Sequence, residues 1–304
     1  MLTTPVAPLQ RRSVLLLIFI AVFFSLKGYA QSSAQPVALH RTRIHNLHSQ
    51  QNGQYYRLFV SIPASYSAKD TARYRVLYVL DGNPFFPLVQ SMHDFFVVGE
   101  EVPEMIVVGI GYPVDEIMKT MGSRSLDYTP TQDLSYDTML TKELKVPITS
   151  GGAAAFLKTL KKEIMPLIEK AYKTTADKAI AGHSLGALFG AYVLFHEPQL
   201  FNRYLLSSIS MPWDREEILQ EEQAFYEAGH RAIPAKVFIS VGDQEGEYMI
   251  NPMKRLVQAM RDHQYSGLEV EERIFVNETH TSVVTTAFNQ GLRSLYKGMV
   301  KKRW

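Results

Sequence analysis

The segment that most narrows the choice of fold is Ala179-Ile180-Ala181-Gly182-His183-Ser184-Leu185-Gly186-Ala187-Leu188-Phe189-Gly190. It holds G-x-S-x-G between a short apolar run with strand character and an apolar, Gly/Ala-rich run with helix character. The pentapeptide alone is weak, because any glycine-rich loop can produce it. Its setting is the demanding part. A sharp strand-to-helix turn puts the serine in a strained backbone and lifts its hydroxyl clear of the sheet. Gly182 and Gly186 let neighbouring backbone approach where a Cβ would collide. The start of the following helix favours negative charge nearby. Ser184 is therefore the candidate nucleophile, against the plainer reading of an ordinary turn serine.

The rest of the chain predicts the sheet that such a turn requires. Short runs rich in β-branched and aromatic residues, bounded by Pro, Gly, Asp and Asn, read as strands at 55–62, 74–80, 105–110, 178–181, 204–207, 237–241 and 268–276. The second and third are nearly all apolar, as strands covered on both faces tend to be. Phe156, Leu157, Leu160, Ile164, Leu167, Ile168 and Ala171 recur at three- and four-residue steps, with Lys158, Lys161, Lys162 and Glu163 opposite, which predicts a helix. A closing helix is expected over roughly 283–300. Strands alternating with helices predict an α/β chain with a mainly parallel central sheet clad on both faces. Residues 112–152 are expected as a long irregular loop of functional type. The charged, aromatic segment 212–234 is expected as a small helical cap over the site. No repeat or linker composition follows residue 50, so 51–304 reads as one catalytic domain.

A serine hydroxyl needs a neighbouring base, and the base needs an orienting group. His196, His230, His263 and His280 follow Ser184. His280 is the best placed, in the loop Asn277-Glu278-Thr279-His280-Thr281-Ser282 between the last strand and the closing helix. His263 sits in a charged helical stretch and reads as surface. His183 adjoins the serine but is expected to point elsewhere on the turn. The loop after 236–241 offers three acids, Asp243, Glu245 and Glu247, and spacing does not choose among them. The developing oxyanion needs two fixed N–H donors. Leu185 supplies one, and Gly82 or Asn83 in Leu80-Asp81-Gly82-Asn83 supplies the other, unless Asp-Gly-Asn is an ordinary β-turn. Phe85, Phe86, Tyr112, Trp213 and Tyr248 are candidates for an aromatic pocket, although such residues more often fill a core. Of these, Trp213 is taken as a substrate contact.

Composition removes whole classes of chemistry. None of the 304 residues is cysteine, which excludes disulfides, Cys-ligated zinc, iron–sulfur clusters and a thiol nucleophile. At the amino terminus, Arg11 and Arg12 precede eleven apolar residues, Val14 to Phe24, and Gly28-Tyr29-Ala30 offers a small-x-small exit before Gln31. This reads as a secretory signal over 1–30. The run is well short of the ~20 residues of a comfortable membrane span. An uncleaved anchor and a twin-arginine signal are the other readings. Without Arg11, Arg12 and Lys27 the chain has 29 basic against 30 acidic residues, which gives no electrostatic reason to expect nucleic acid. The chain is expected to be exported, periplasmic or secreted from a bacterium, with no stable membrane insertion after cleavage. Residues 31–50 read as a polar lead-in. Its His40, His45 and His48 have no interleaved carboxylate, so no metal site is expected. Oligomeric state is open.

Several separate stretches resemble, in order, the esterase branch of the α/β-hydrolases, particularly hydrolases akin to periplasmic siderophore esterases. They are Val76 to Gly82, Val108-Gly109-Ile110-Gly111-Tyr112, Arg124 with Asp127-Tyr128-Thr129-Pro130, Gly182 to Gly186, and the His280 loop. The similarity runs from about Ile44 to the last helix. It implies an α/β-hydrolase fold with a small cap insertion. The loop after the penultimate strand in such relatives often reads Gly-x-x-Glu, which selects Glu245 over Asp243. The segment from Arg124 to Pro130 borders the site in them, which marks Arg124 and Tyr128 as contacts for an anionic or catechol-bearing ester. The other reading of Arg124 is a loop arginine paired with Asp127. Ala187 departs from the pattern, which has a second glycine after the elbow, but no catalytic atom is lost.

The expected function is therefore a serine carboxylic-ester hydrolase acting through an acyl-enzyme on siderophore-type catecholate trilactones or other small acyl esters. No cofactor is needed. An acyltransferase of the same fold and a non-catalytic secreted binding protein on a hydrolase scaffold are the alternatives.

Overall fold

The computed structural model describes residues 38–69, 71–114 and 116–300. The expected signal segment, 1–30, and residues 31–37 lie outside them. Eight strands form one sheet: β1 (Thr42–His48), β2 (Tyr55–Ser61), β3 (Tyr74–Val79), β4 (Met105–Gly111), β5 (Thr174–His183), β6 (Arg203–Ser207), β7 (Lys236–Gly242) and β8 (Glu269–Phe275). Their spatial order is β1-β2-β4-β3-β5-β6-β7-β8. The two pairings made by β2, with β1 and β4, are antiparallel, and the rest are parallel. This is the expected mainly parallel sheet.

Alternation along the strands sorts side chains to two buried faces. In β3, Val76 and Tyr78 join a core with Phe156, Ile180, Phe189 and Tyr204. Leu77 and Val79 join a second core with Phe86, Ala181, Leu205, Phe238 and Phe288 on the other side. Helices α1 (Gly82–Val98) and α9 (Val283–Leu295) cover that second face. The first face is covered by α4 (Ala153–Thr159), a π-helical turn (Leu160–Ile164), α5 (Met165–Ala171), α6 (Leu185–His196), α7 (Glu217–Glu227) and α8 (Glu247–Asp262). Helix α6 is buried from Leu185 to Phe195, which explains an apolar sequence with no polar stripe.

Three expectations change. The lead-in is a strand over its second half. β1 has one neighbour and mostly exposed or half-exposed side chains, so an edge position hides it in a polar sequence. His45 Nε2 there shares a hydrogen bond of 2.7 Å with Tyr172 OH, and His48 stacks on Tyr55. Residues 112–152 are not an irregular loop, since they contain α2 (Met121–Tyr128) and α3 (Leu134–Leu144). Asp133 caps α3 by accepting from the Ser135 and Tyr136 amides, a start signal the sequence carries openly. The closing helix ends at Leu295 and not near residue 300. Within 212–234, a short 3₁₀ turn at Trp213–Arg215 precedes α7, which packs on α6 and α8. Among the described residues, no helix is long and apolar enough to cross a membrane.

Candidate active site

β5 ends at His183, and α6 begins at Leu185, so one residue makes the turn. Ser184 takes φ 59° and ψ −122°, a positive φ that a side chain rarely accepts. The turn is this tight because Gly182 lets the strand pass the helix. A Cβ there would lie 2.5 Å from the carbonyl carbon and oxygen of Gly186. The Ser184 amide donates to Ser207 O at 3.0 Å, and Ser184 O accepts from the Leu188 amide, which starts α6. The Leu185 amide is left in the first turn, where intrahelical acceptors are missing. The hydroxyl opens into a cleft of about 410 Å³ lined by Met121, Arg124, Tyr136, Leu185, Ser210, Trp213, Tyr248 and His280, among others.

Of the three acids after β7, one reaches an imidazole. Glu245 stands in the 3₁₀ turn Asp243–Glu245 after β7, with its carboxylate buried. Its Oε2 accepts from His280 Nδ1 at 2.6 Å, and its Oε1 accepts from Ser208 Oγ at 2.6 Å and the Gly242 amide at 2.8 Å. Burial raises the pKa of this carboxyl, but the three hydrogen bonds together outweigh it and leave the net shift downward. An ionised carboxylate only accepts, so the shared proton sits on Nδ1 and leaves a lone pair on Nε2. Asp243 Oδ1 is buried without a partner, and Glu247 is exposed. Neither takes the bond to the imidazole.

Ser184 Oγ has Ser210 Oγ as its hydrogen-bond partner, at 3.3 Å, and no Ser184–His280 hydrogen bond is formed among the described residues. Both side chains line the same cleft. Catalytic hydrogen bonds of this kind often tighten only when substrate is bound. The other later histidines are held elsewhere. His196 pairs with Glu221, His230 stacks on Phe225, and His263 hydrogen-bonds the buried Glu222 at 2.7 Å. His263 is thus not a free surface residue, because its ring also stacks on Tyr226. His183 does not point away from the site either. Its ring centroid is 4.6 Å from that of His280.

The turn after β3 lies beside the elbow: a Cβ on Gly186 would lie 3.2 Å from Asp81 Oδ2 and 3.4 Å from Leu80 Cβ. Asp81 is left-handed (φ 51°), and Gly82 and Asn83 open α1, so Asp-Gly-Asn is a helix start and not a plain β-turn. A Cβ on Gly82 would lie 2.6 Å from Gly109 C, so no larger residue fits against β4. Asn83 fastens this corner: its Oδ1 accepts from the Tyr112 amide at 2.8 Å, and its Nδ2 donates to Tyr112 O and Val114 O.

Arg124 reaches the cleft wall, but its partner is Asp81 and not Asp127. Nε donates to Oδ1 at 2.9 Å and Nη2 to Oδ2 at 3.0 Å. Burial alone would favour loss of its proton; Asp81 overrides this and holds the guanidinium charged. Asp127 lies deeper and accepts from Tyr56 OH (2.8 Å), Tyr112 OH (3.1 Å) and Asn52 Nδ2 (3.4 Å). Burial pushes its pKa up to about 7, against the pull of the two tyrosine hydroxyls. Tyr128, expected as a substrate contact, is fully buried, and its hydroxyl accepts from the Asp81 amide at 3.0 Å. It supports the Asp81–Arg124 pair from behind and does not line the cleft. Trp213 does line it, with Nε1 donating to Thr131 Oγ1 and its ring edge-on to Tyr136. Tyr248 lines it too, whereas Phe86 and Tyr112 are core.

Sequence reasoning missed Ser208, Ser210, His183, Met121 and Tyr136. Ser208 and Ser210 follow the end of β6, the strand beside the elbow, and that position is the one signal available. Met121 and Tyr136 come from the unrecognised helices α2 and α3.

The sequence model of the family described as "Putative esterase" matches residues 49–271. The ferri-bacillibactin esterase BesA of Bacillus subtilis (strain 168) is 26% identical over 271 residues, covering 83% of this chain and 88% of that protein. The siderophore enterobactin esterase of Emericella nidulans is 25% identical over 301 residues, covering 88% of this chain and 97% of that protein. Among solved structures, the BES protein from Bacillus cereus superposes with a TM-score of 0.77 at 28% identity, over 87% of this chain and 99% of that one. The fold is that of the α/β-hydrolase esterases. The family match spans well over half the sequence, and the chain belongs to this esterase family.

Proposed function

We propose that this esterase is a serine carboxylesterase working through an acyl-enzyme, with Ser184 as nucleophile, His280 as base and Glu245 as the orienting acid. The observation that carries the reading is convergence. A strained serine and an imidazole whose Nδ1 is fixed by a buried carboxylate share one cleft. Ser184 Oγ attacks the ester carbonyl and its proton passes to His280 Nε2, forming a tetrahedral oxyanion. Collapse breaks the bond to the alkoxide, which takes that proton and leaves as the alcohol. Water then attacks the acyl-enzyme, gives its proton to Nε2 and releases the acid, and Ser184 recovers its proton. The Leu185 amide and the amide of Gly82 or Asn83 are the proposed oxyanion donors, both at helix starts beside the elbow.

The proposed substrate class is a siderophore-type ester with anionic or catechol-bearing groups, such as a catecholate trilactone. The names of the two relatives support this, as do two aromatic rings in the cleft wall, Trp213 and Tyr248. We also propose export to the periplasm or medium, on the basic-then-apolar amino terminus; fractionation of expressing cells tests it.

Ser184→Ala is expected to lower kcat by roughly 10⁴–10⁶-fold with the fold intact. Wild-type turnover of a chromogenic ester by this variant would overturn the mechanism. A panel of short acyl esters, feruloyl esters and catecholate trilactones ranks the substrates, and a preference for simple short acyl esters would overturn the substrate class.

A further inference from the structure

His183 takes no proton in the scheme above, yet its imidazole lies against that of His280. The ring centroids are 4.6 Å apart with planes inclined at 42°. His183 is the last residue of β5, in register with Ser207 of β6, and its Nδ1 shares a hydrogen bond of 3.2 Å with Ser207 Oγ. Phe85 meets the ring edge-on from α1. It is therefore a fixed surface built into the elbow. Burial, reinforced by the neighbouring His280, pushes its pKa down to about 3, so it stays neutral wherever an esterase works.

His280 is held differently. It stands on a loop with its side chain 47% exposed and has Glu245 as the hydrogen-bond partner of Nδ1. One hydrogen bond fixes the position of Nδ1 but leaves the ring free to swing about it. A second ring against the imidazole removes that freedom. A neutral aromatic face also tolerates the cation formed when His280 is protonated, whereas a second charged imidazole would oppose it.

Building on the proposed mechanism, we propose that His183 is a positioning residue. Its ring, anchored to the end of β6 through Ser207, sets the plane of His280 so that Nε2 faces Ser184. The middle residue of G-H-S-x-G would then tie the base to the nucleophile's own turn, and motion of the elbow and of the imidazole would be coupled.

Two variants separate the ring from the hydrogen bond. His183→Asn keeps a polar partner for Ser207 and removes the aromatic face. The double variant His183→Phe/Ser207→Ala keeps the face and leaves no buried polar group unpaired. On a p-nitrophenyl ester, the Asn variant is expected to lose about 10–100-fold in kcat with KM within about twofold, since misplacing a reacting group costs on this scale. The Phe/Ala variant is expected to retain kcat within about threefold. Melting temperatures are measured alongside, and the two readouts together exclude a merely structural effect. Wild-type kcat in the Asn variant, or an equal loss in the Phe/Ala variant, would overturn the proposal. Fluorophosphonate labelling of wild-type protein distinguishes the two levels. Absence of label at Ser184 sinks the acyl-enzyme itself, whereas labelling of the Asn variant at the wild-type rate sinks the role of His183 alone.

Discussion

Glu245 holds His280 with one oxygen while its other oxygen is held by Ser208 and the Gly242 amide, so the carboxylate that fixes the imidazole is itself fixed from two strands. Ser208 follows β6, and Gly242 ends β7. Replacing the carboxylate by an amide of the same shape tests what this arrangement does. In Glu245→Gln, the amide is able to donate to Nδ1, which favours the tautomer with its proton on Nε2. That histidine is unable to accept from Ser184. A fall in kcat of about 10²–10⁴-fold with little change in KM is expected. Steady-state kinetics on a chromogenic ester check it, and an unchanged kcat would remove Glu245 from the mechanism.

Asp127 gives the fold a pH dependence of its own. Its folded-state pKa, near 7, lies above the ordinary carboxyl value, so the folded chain binds its proton more tightly than the unfolded chain does. The corresponding stability is fully present below the unfolded value and is lost as pH rises through about 7. Asp127→Asn, which has no proton to lose, should therefore gain on wild type as pH rises from 4 to 8, by about 1 kcal/mol or more. Urea unfolding at several pH values measures the gap. A gap independent of pH would show that Asp127 is ionised throughout.

The Arg124–Asp81 pair is mostly buried, with side chains 13% and 6% exposed. Removing one member leaves an uncompensated charge, at a cost of about 3 kcal/mol or more. Arg124→Met is expected to show that loss. Arg124→Met/Asp81→Asn is expected to recover at least about 1 kcal/mol of it, because no lone charge remains. Denaturant midpoints of the single and double variants decide the matter, and strict additivity would mean the pair is not coupled.

Gly182 is the tightest position of the elbow. A methyl there meets backbone rather than a movable side chain, so Gly182→Ala is expected to cost about 2 kcal/mol or more and to disturb the serine with it. A variant that melts at the wild-type temperature with full activity would mean that the turn has slack the structure does not show.

Much of this architecture was legible in the chain, and the failures have physical causes. Strands β3, β4 and β7 are apolar on both faces, and the sequence announces them. β1 is an edge strand with polar side chains, so hydrophobic patterning has nothing to read. Helix α2 buries only Ser125, Asp127 and Tyr128, and α3 only Asp137, so neither carries an apolar stripe to read, and the Gly, Pro, Ser and Asp around them mimic a loop. At the site, Ser184 and Leu185 follow from local turn geometry, and His280 from its place after the last strand. Glu245 needed resemblance, because Asp243 and Glu247 are chemically equivalent until a carboxylate is seen to reach the imidazole. Tyr128 and Arg124 look alike in sequence as neighbours on one segment, but successive turns of α2 send Arg124 to the cleft and Tyr128 inward. His183 is hidden from sequence reading because adjacency along the chain says nothing about where a ring comes to lie.

The strand that delivers His280 is the outermost on its side. β8 pairs only with β7, and most of its side chains are exposed or half-exposed, whereas β5, which delivers Ser184, the proposed nucleophile, is flanked on both sides. The two halves of the proposed reaction therefore rest on parts of unequal firmness. Warming should fray the rim and disconnect the proton acceptor while the middle of the molecule still holds its shape, so turnover should fail before the far-ultraviolet dichroism signal does.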